Sequence, residues 1–172
     1  MDGPSQTRQM SPHVVVAQYD ENAKPVLVED ASPAEMSMGA LTGVVSVWQS
    51  PSVPTIPTQV GTVSADAGFA VAGQVKFGRS WIAPASDGEL DFTGMTSGPI
   101  IAGHDPSYHR TDTVDLGYVT SGEAELRLED GQVATLRTGS AFVLTGMQHQ
   151  WHVLGDVPFE FTVFTVGAER RG

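Results

Sequence analysis

The stretch of this chain richest in reactive side chains is residues 103–122, GHDPSYHRTDTVDLGYVTSG. From Thr111 the residues alternate as a strand would. Thr111, Thr113, Asp115, Gly117 and Val119 then share one face, with His109 in phase with them. An imidazole titrates near neutral pH, so His109 with Asp115 can do acid–base work. The same two side-chain types also bind divalent metals. Further along, His149 and Trp151 are two residues apart and share a strand face, while His152 points the other way. Trp151 can wall a pocket or fill a core. Gly117 leaves space on the reactive face, which favours an internal cavity. Arg79 sits among apolar residues; it can bind a substrate carboxylate or pair with one of the many acids. His104, beside Asp105, reads as a loop residue.

These residues need a scaffold, and the pattern supplies short strands. HVVVAQY and PVLV, joined by Asp20-Glu21-Asn22, read as a hairpin over residues 13–28. Residues 29–40 read as a loop or a single helical turn. Leu41–Trp48 is rich in β formers, and the Pro-rich run QSPSVPTIPTQ after it reads as a wrapping loop. Val75–Ile82 is a predicted strand, and residues 84–103 form a long loop of the kind that is functional or mobile. After the strand at 111–119, Ala124, Leu126 and Leu128 alternate with charged residues, giving a half-buried strand with an acidic outer face. Asp130-Gly131 predicts a two-residue hairpin turn. QVATLR, SAFVLT, the segment from His149 to Leu154 and PFEFTVFTV complete the series. Strands recurring every 8–12 residues predict a sandwich or barrel.

Composition narrows the function classes. The 172 residues suffice for one domain with a sizeable core, and 19 Gly and 11 Pro between short apolar runs favour an all-β chain. The formal charge is −11, with 20 acidic against 9 basic residues. Nucleic-acid and anionic-membrane binding both need a basic surface, so neither partner is expected. No apolar run is long enough to span a bilayer. Residues 1–12 read as a disordered lead-in without the apolar core of a signal peptide. With no cysteine, disulfides and thiolate sites are excluded, which fits a cytoplasmic protein.

The glycine and histidine spacing resembles that of the cupins. Their first motif runs Gly, five residues, His-x-His, three or four residues, Glu, six residues, Gly. Here Gly103 is followed by five residues and His109; Thr111 replaces the second His, Asp115 replaces Glu, and Gly122 closes the frame. Gly139, SAFVL, Thr145-Gly146 and His149 resemble the second motif, one residue short. His109-Arg110-Thr111-Asp112-Thr113-Val114-Asp115 and His149-Gln150-Trp151 are similar to a subgroup of small single-domain cupins with His-x-Thr-x-Thr-x-Asp and His-x-Trp motifs. Val47-Trp48 and Gly78-Arg79 resemble the N-terminal half of that subgroup, some of whose members sit among natural-product biosynthetic enzymes.

The resemblance implies a jelly-roll β-barrel over residues 13–172, with core motifs at 103–166 and an N-terminal hairpin extension. It implies that His149 comes to lie beside His109, Thr111 and Asp115. His109, Asp115 and His149 would then hold a divalent metal (zinc, iron or manganese) with open positions. A metal-free His/Asp pocket doing acid–base chemistry is the alternative. Thr111 and Trp151, with Arg79, are the candidate substrate contacts. Three functions compete. One is a lyase, dehydratase or isomerase acting on a small metabolite. The second is an Fe(II) oxygenase at the same residues, and the third is a non-catalytic binding cupin. A homodimer is expected, since cupins commonly associate through sheet edges and N-terminal strands.

Overall fold

The structure, a computed structural model, describes residues 15–22, 24–29, 34–37, 41–54, 68–90, 92 and 105–170. Eleven strands account for the regular structure of these residues, apart from a 3-10 turn at Ala85–Asp87. They are β1 (Val15–Tyr19), β2 (Pro25–Glu29), β3 (Ala34–Ser37), β4 (Thr42–Ser50), β5 (Val75–Ile82) and β6 (Thr113–Ser121). They continue as β7 (Glu123–Leu128), β8 (Val133–Arg137), β9 (Ala141–Leu144), β10 (His149–Leu154) and β11 (Phe159–Gly167). All pairings are antiparallel: β1–β2 is a separate hairpin, β10-β7-β8 one sheet, and β3-β4-β5-β11-β6-β9 another. The chain is an all-β jelly roll. Among the described residues no helix is long and apolar enough to cross a membrane.

The two sheets face each other across a core of Ile82, Val119, Ala124, Phe142, Leu144, Trp151, Val153, Phe159 and Phe161. These residues occupy inward-facing positions of β5, β6, β7, β9, β10 and β11, as a pleated strand with one face inward requires. Phe142 sets its ring edge-on to Trp151 and Phe161, with centroids 5.3 and 5.4 Å away. This aromatic cluster fills the end of the barrel beside the reactive residues.

Several expectations change. Residues 34–37, expected in a loop or helical turn, form β3 against β4. The expected strand at 111–119 begins two residues later. His109 has already spent its backbone groups on an isolated bridge to His149, and Thr111 lies between that bridge and the ladder. The Asp130-Gly131 turn is a three-residue loop. Leu128 N–H donates to the Gln132 carbonyl, Gly131 N–H donates to the Leu128 carbonyl, and Gly131 takes φ +87°. That combination is the type I turn with a glycine bulge that three-residue hairpins use. The space left by Gly117 is not cavity, because the ring of Phe142 occupies it: a Cβ there would lie 2.0 Å from Phe142 Cζ. His13, His104, the lead-in at 1–12 and most of the 84–103 loop lie outside the described residues.

Candidate functional site

Two histidines 40 positions apart meet through their own backbones. His109 N–H donates to the His149 carbonyl and His149 N–H to the His109 carbonyl, both at 2.9 Å. This bridge joins the chain entering β6 in the large sheet to the first residue of β10 in the small one. It brings the two rings to a centroid distance of 4.4 Å, tilted by 54°. Phe92 covers His109 at 4.2 Å, and Trp151 stands edge-on to His149 at 5.7 Å.

Each ring has its tautomer set locally. His109 Nδ1 lies 3.1 Å from the Ser107 carbonyl, and His149 Nδ1 lies 3.1 Å from the Met147 carbonyl. A carbonyl can only accept, so both Nδ1 atoms carry hydrogen and Nε2 is the nitrogen each ring offers as a base. Ser107 is itself held: its hydroxyl donates to Asp105 Oδ1 at 2.5 Å and receives Gln150 Nε2 at 2.5 Å. The Ser107 contacts hold the Asp105 carboxyl below its usual range. Both imidazoles are buried. Burial, with the neighbouring His149 adding to it, pushes the pKa of His109 down to about 3; the Ser107 carbonyl opposes this. Burial likewise lowers His149, against its bond to Met147. Both rings are therefore neutral near pH 7.

Asp115 lies on the same wall in a different setting. Thr111 Oγ1 is 2.6 Å from Thr113 Oγ1, whose hydroxyl donates to Asp115 Oδ2 at 3.0 Å. Burial raises the Asp115 pKa, against hydrogen bonds from Thr113, Thr165 and Thr111. The cavity these residues line has a volume of about 110 Å³. Its polar lining also includes Thr42, Ser46, Lys76 and Ser80, and its apolar lining includes Phe142, Phe161 and Trp151.

The structure thus brings His109, Thr111, Asp115, His149 and Trp151 into one cavity. It does not bring Arg79 there. In β5 the even residues Lys76, Gly78, Ser80 and Ile82 face the cavity, so alternation turns Arg79 outward, where it pairs with Glu160. Lys76 is the buried cation of the cavity wall, and its Nζ donates to the Gly68 carbonyl at 2.6 Å. Strand parity within VKFGRSWI separates Lys76 from Arg79 and was the signal that could have found it. His152 lies on the opposite face of β10 from His149, as alternation requires.

A divalent cation held by His109, Asp115 and His149 needs all three donors in one coordination sphere, about 2.0–2.2 Å from the ion for zinc. Among the described residues no three His, Cys, Asp or Glu side chains are grouped so as to hold a metal ion. Asp115 is instead drawn into the threonine hydroxyls. The three-ligand centre implied by the motif spacing is therefore not formed by the described residues.

Residues 100–165 match the family model described as Cupin domain. Over 49 residues it is 43% identical to oryzines biosynthesis cluster protein J of Aspergillus oryzae. That alignment spans 28% of this chain and 27% of the fungal protein. Among solved structures, the Cnp3 cupin domain of Schizosaccharomyces pombe aligns with 90% of this chain and 87% of its own, at 6% identity and a TM-score of 0.47. A structure from work on the DMSP lyases RdDddP and RnDddQII aligns with 74% of this chain and 48% of its own, at 18% identity and a TM-score of 0.43.

Proposed function

We propose that this chain is a cupin enzyme that moves protons on a small organic metabolite, in a reaction of the lyase, dehydratase or isomerase class. The observation that carries this reading is the placement of two imidazoles with free Nε2 atoms and a partly buried carboxyl group in one cavity. Two buried imidazoles are kept neutral with Nε2 as their basic nitrogen, while burial pushes the Asp115 carboxyl toward its protonated form. Burial favours the neutral form of each group, so the cavity sets unprotonated imidazole nitrogens beside a carboxyl group that can hold a proton. In an elimination, Nε2 of His149 accepts the proton from carbon. The C–H electron pair becomes the new C=C bond, and the leaving oxygen departs with the proton of Asp115. An isomerisation uses the same two groups without loss of the oxygen.

The cavity is of the order of the roughly 150 Å³ pocket that takes up benzene, so the reacting part of the substrate is small. Phe142, Phe161 and Trp151 suit an apolar body, and Thr42, Ser46 and Ser80 suit hydroxyl or carbonyl oxygens. The local likeness to a protein of an oryzine biosynthesis cluster supports a role in natural-product metabolism.

Proton NMR in D₂O tests this with a panel of small β-hydroxy and α,β-unsaturated carbonyl compounds. Protein as purified and protein dialysed against a chelator are compared with His149→Ala and Asp115→Asn. The expected result is deuterium entering the carbon next to the carbonyl, or loss of water, in both wild-type samples, and a fall of at least about 100-fold in either variant. Turnover that survives both substitutions overturns the site. Loss on chelation moves the chemistry to a metal, oxygen consumption moves it to an oxygenase, and binding without turnover leaves a binding protein.

A further inference from the structure

Among the described residues that line the cavity, Lys76 is the one lysine or arginine, and the proton chemistry proposed above gives it no task. It is 5% exposed. Enclosing an ammonium costs solvation, and lysine is seldom buried this far without an oxygen to hold. Its Nζ donates to the Gly68 carbonyl at 2.6 Å, which sets the head group against the cavity wall. An ammonium carries three donors, so a protein oxygen and a ligand oxygen can share it.

Strand register aligns this cation with the reactive residues. Lys76 of β5 is opposite Thr165 of β11, and Thr165 is opposite Asp115 of β6. Residues directly opposite in a sheet share a face, so the three form a polar row, and all three line the cavity. β5 and β6 both run antiparallel to β11, so both begin at the same end of the sheet. His109 and Thr111 lead into β6 at that end, and His149 is bridged to His109 there. Lys76 and Asp115 are two strand spacings apart, about 10 Å between backbones. Both side chains reach inward over that distance, which leaves a span that a short-chain molecule fills. The Asp115 carboxyl is engaged by threonine hydroxyls at its own end of the row.

We propose that Lys76 binds the carboxylate of the substrate, and that the substrates are short-chain carboxylic acids rather than neutral carbonyl compounds. This rests on the acid–base reading above and narrows it. A single ammonium matches a single negative charge. A phosphoryl group carries nearer two and has three strong acceptor oxygens, so it calls for more donors than this wall supplies. The rest of the described polar lining near Lys76 is hydroxyl groups, Ser46, Ser80 and Thr165, which hydrogen-bond an oxygen without adding charge. The chain as a whole carries a formal charge of −11 and repels anions, so an acid that enters needs a local cation. In a wall away from water that attraction is stronger than at the surface.

Calorimetric titration, with saturation-transfer NMR for weak ligands, tests this at low salt. The probes are β-hydroxybutyrate, crotonate and butyrate, each against its primary amide. Wild type should prefer each acid at least about tenfold. Lys76→Met should abolish the preference with amide affinity within about threefold of wild type, and Lys76→Arg should keep part of it. A lysine that only supports the wall would change the melting of Lys76→Met and leave the acid-to-amide ratio alone, and that result overturns the proposal. The wild-type comparison decides even where Lys76→Met fails to fold: equal affinity for acid and amide, or no binding of any acid, overturns it. Inorganic phosphate that binds more tightly than the acids overturns the carboxylate assignment. The same titrations on His149→Ala and Asp115→Asn separate this inference from the reading beneath it. Acid preference without any turnover in D₂O rejects the acid–base reading and leaves the carboxylate site standing. Turnover of the amides as fast as the acids rejects the carboxylate site and leaves the acid–base reading.

Discussion

At the scale of single residues, two neutral imidazoles held side by side are the defining feature, and they make stability depend on pH. His109 has a folded pKa of about 3 against an ordinary 6.5, and His149 is shifted the same way. Between those values the unfolded chain binds protons that the folded chain does not. Stability is therefore full above pH 6.5 and is lost as pH falls toward 3. From pH 6.5 to 5 His109 alone accounts for about 2 kcal/mol at 1.36 kcal/mol per unit. Asp115, whose pKa is raised, works in the other direction: it favours the folded state below 3.8 and loses that contribution as pH rises through its folded value. Two lowered imidazoles oppose one raised carboxyl, so the melting temperature should fall between pH 7.5 and 5, and His109→Gln should flatten that slope. A melting temperature that is constant or higher at pH 5 would contradict the buried neutral pair. The shared face of His109, Thr111 and Asp115 was legible, because strand alternation is local. The place of His149 followed only from motif resemblance, since the backbone bridge that sets it joins residues 40 positions apart. Lys76 was overlooked because Arg79, the more conspicuous cation, lies one parity away.

At the scale of elements, periodicity and turn chemistry carried most of the information. Val75–Ile82 was readable to the residue, and the strands after Gly122 followed their alternation. β3 was not, because AEMS has little β character and becomes a strand by pairing with β4. The turns lead to a graded prediction. Gly131 has φ +87° and open space around a would-be Cβ, so Gly131→Ala should cost about 1 kcal/mol of left-handed backbone strain. Gly122 has φ +75°, and its Cβ would lie 2.4 Å from the Pro158 carbonyl oxygen. Gly122→Ala should add overpacking of a further 1–3 kcal/mol or so. Chemical denaturation of the two variants should rank them in that order. Equal losses would mean that the β6–β7 turn yields to the added methyl group.

At the scale of the whole molecule, the cavity belongs to both halves of the chain. The family model covers residues 100–165, yet Thr42, Ser46, Lys76 and Ser80 reach the cavity from β4 and β5, before that region. A fragment of residues 100–172 should therefore melt without a cooperative transition, because β11 loses its β5 neighbour and the cavity loses a wall. A sharp transition like that of the full chain would show that the matched region is a self-sufficient fold. The jelly roll was legible as a recurrence of short strands, but the sharing of the cavity was not, since strand order within a sheet is a non-local property. That order also bears on how the protein is made. β11 follows all the other described strands in the chain, yet it sits inside the large sheet between β5 and β6. A ribosome-bound chain must hold those two strands apart, with bare edges, until residues 159–167 emerge. Until then, each bare edge can pair with another nascent chain. The interval between synthesis of β6 and arrival of β11 is thus the period of greatest aggregation risk, and slower elongation through β7–β10 would lengthen it.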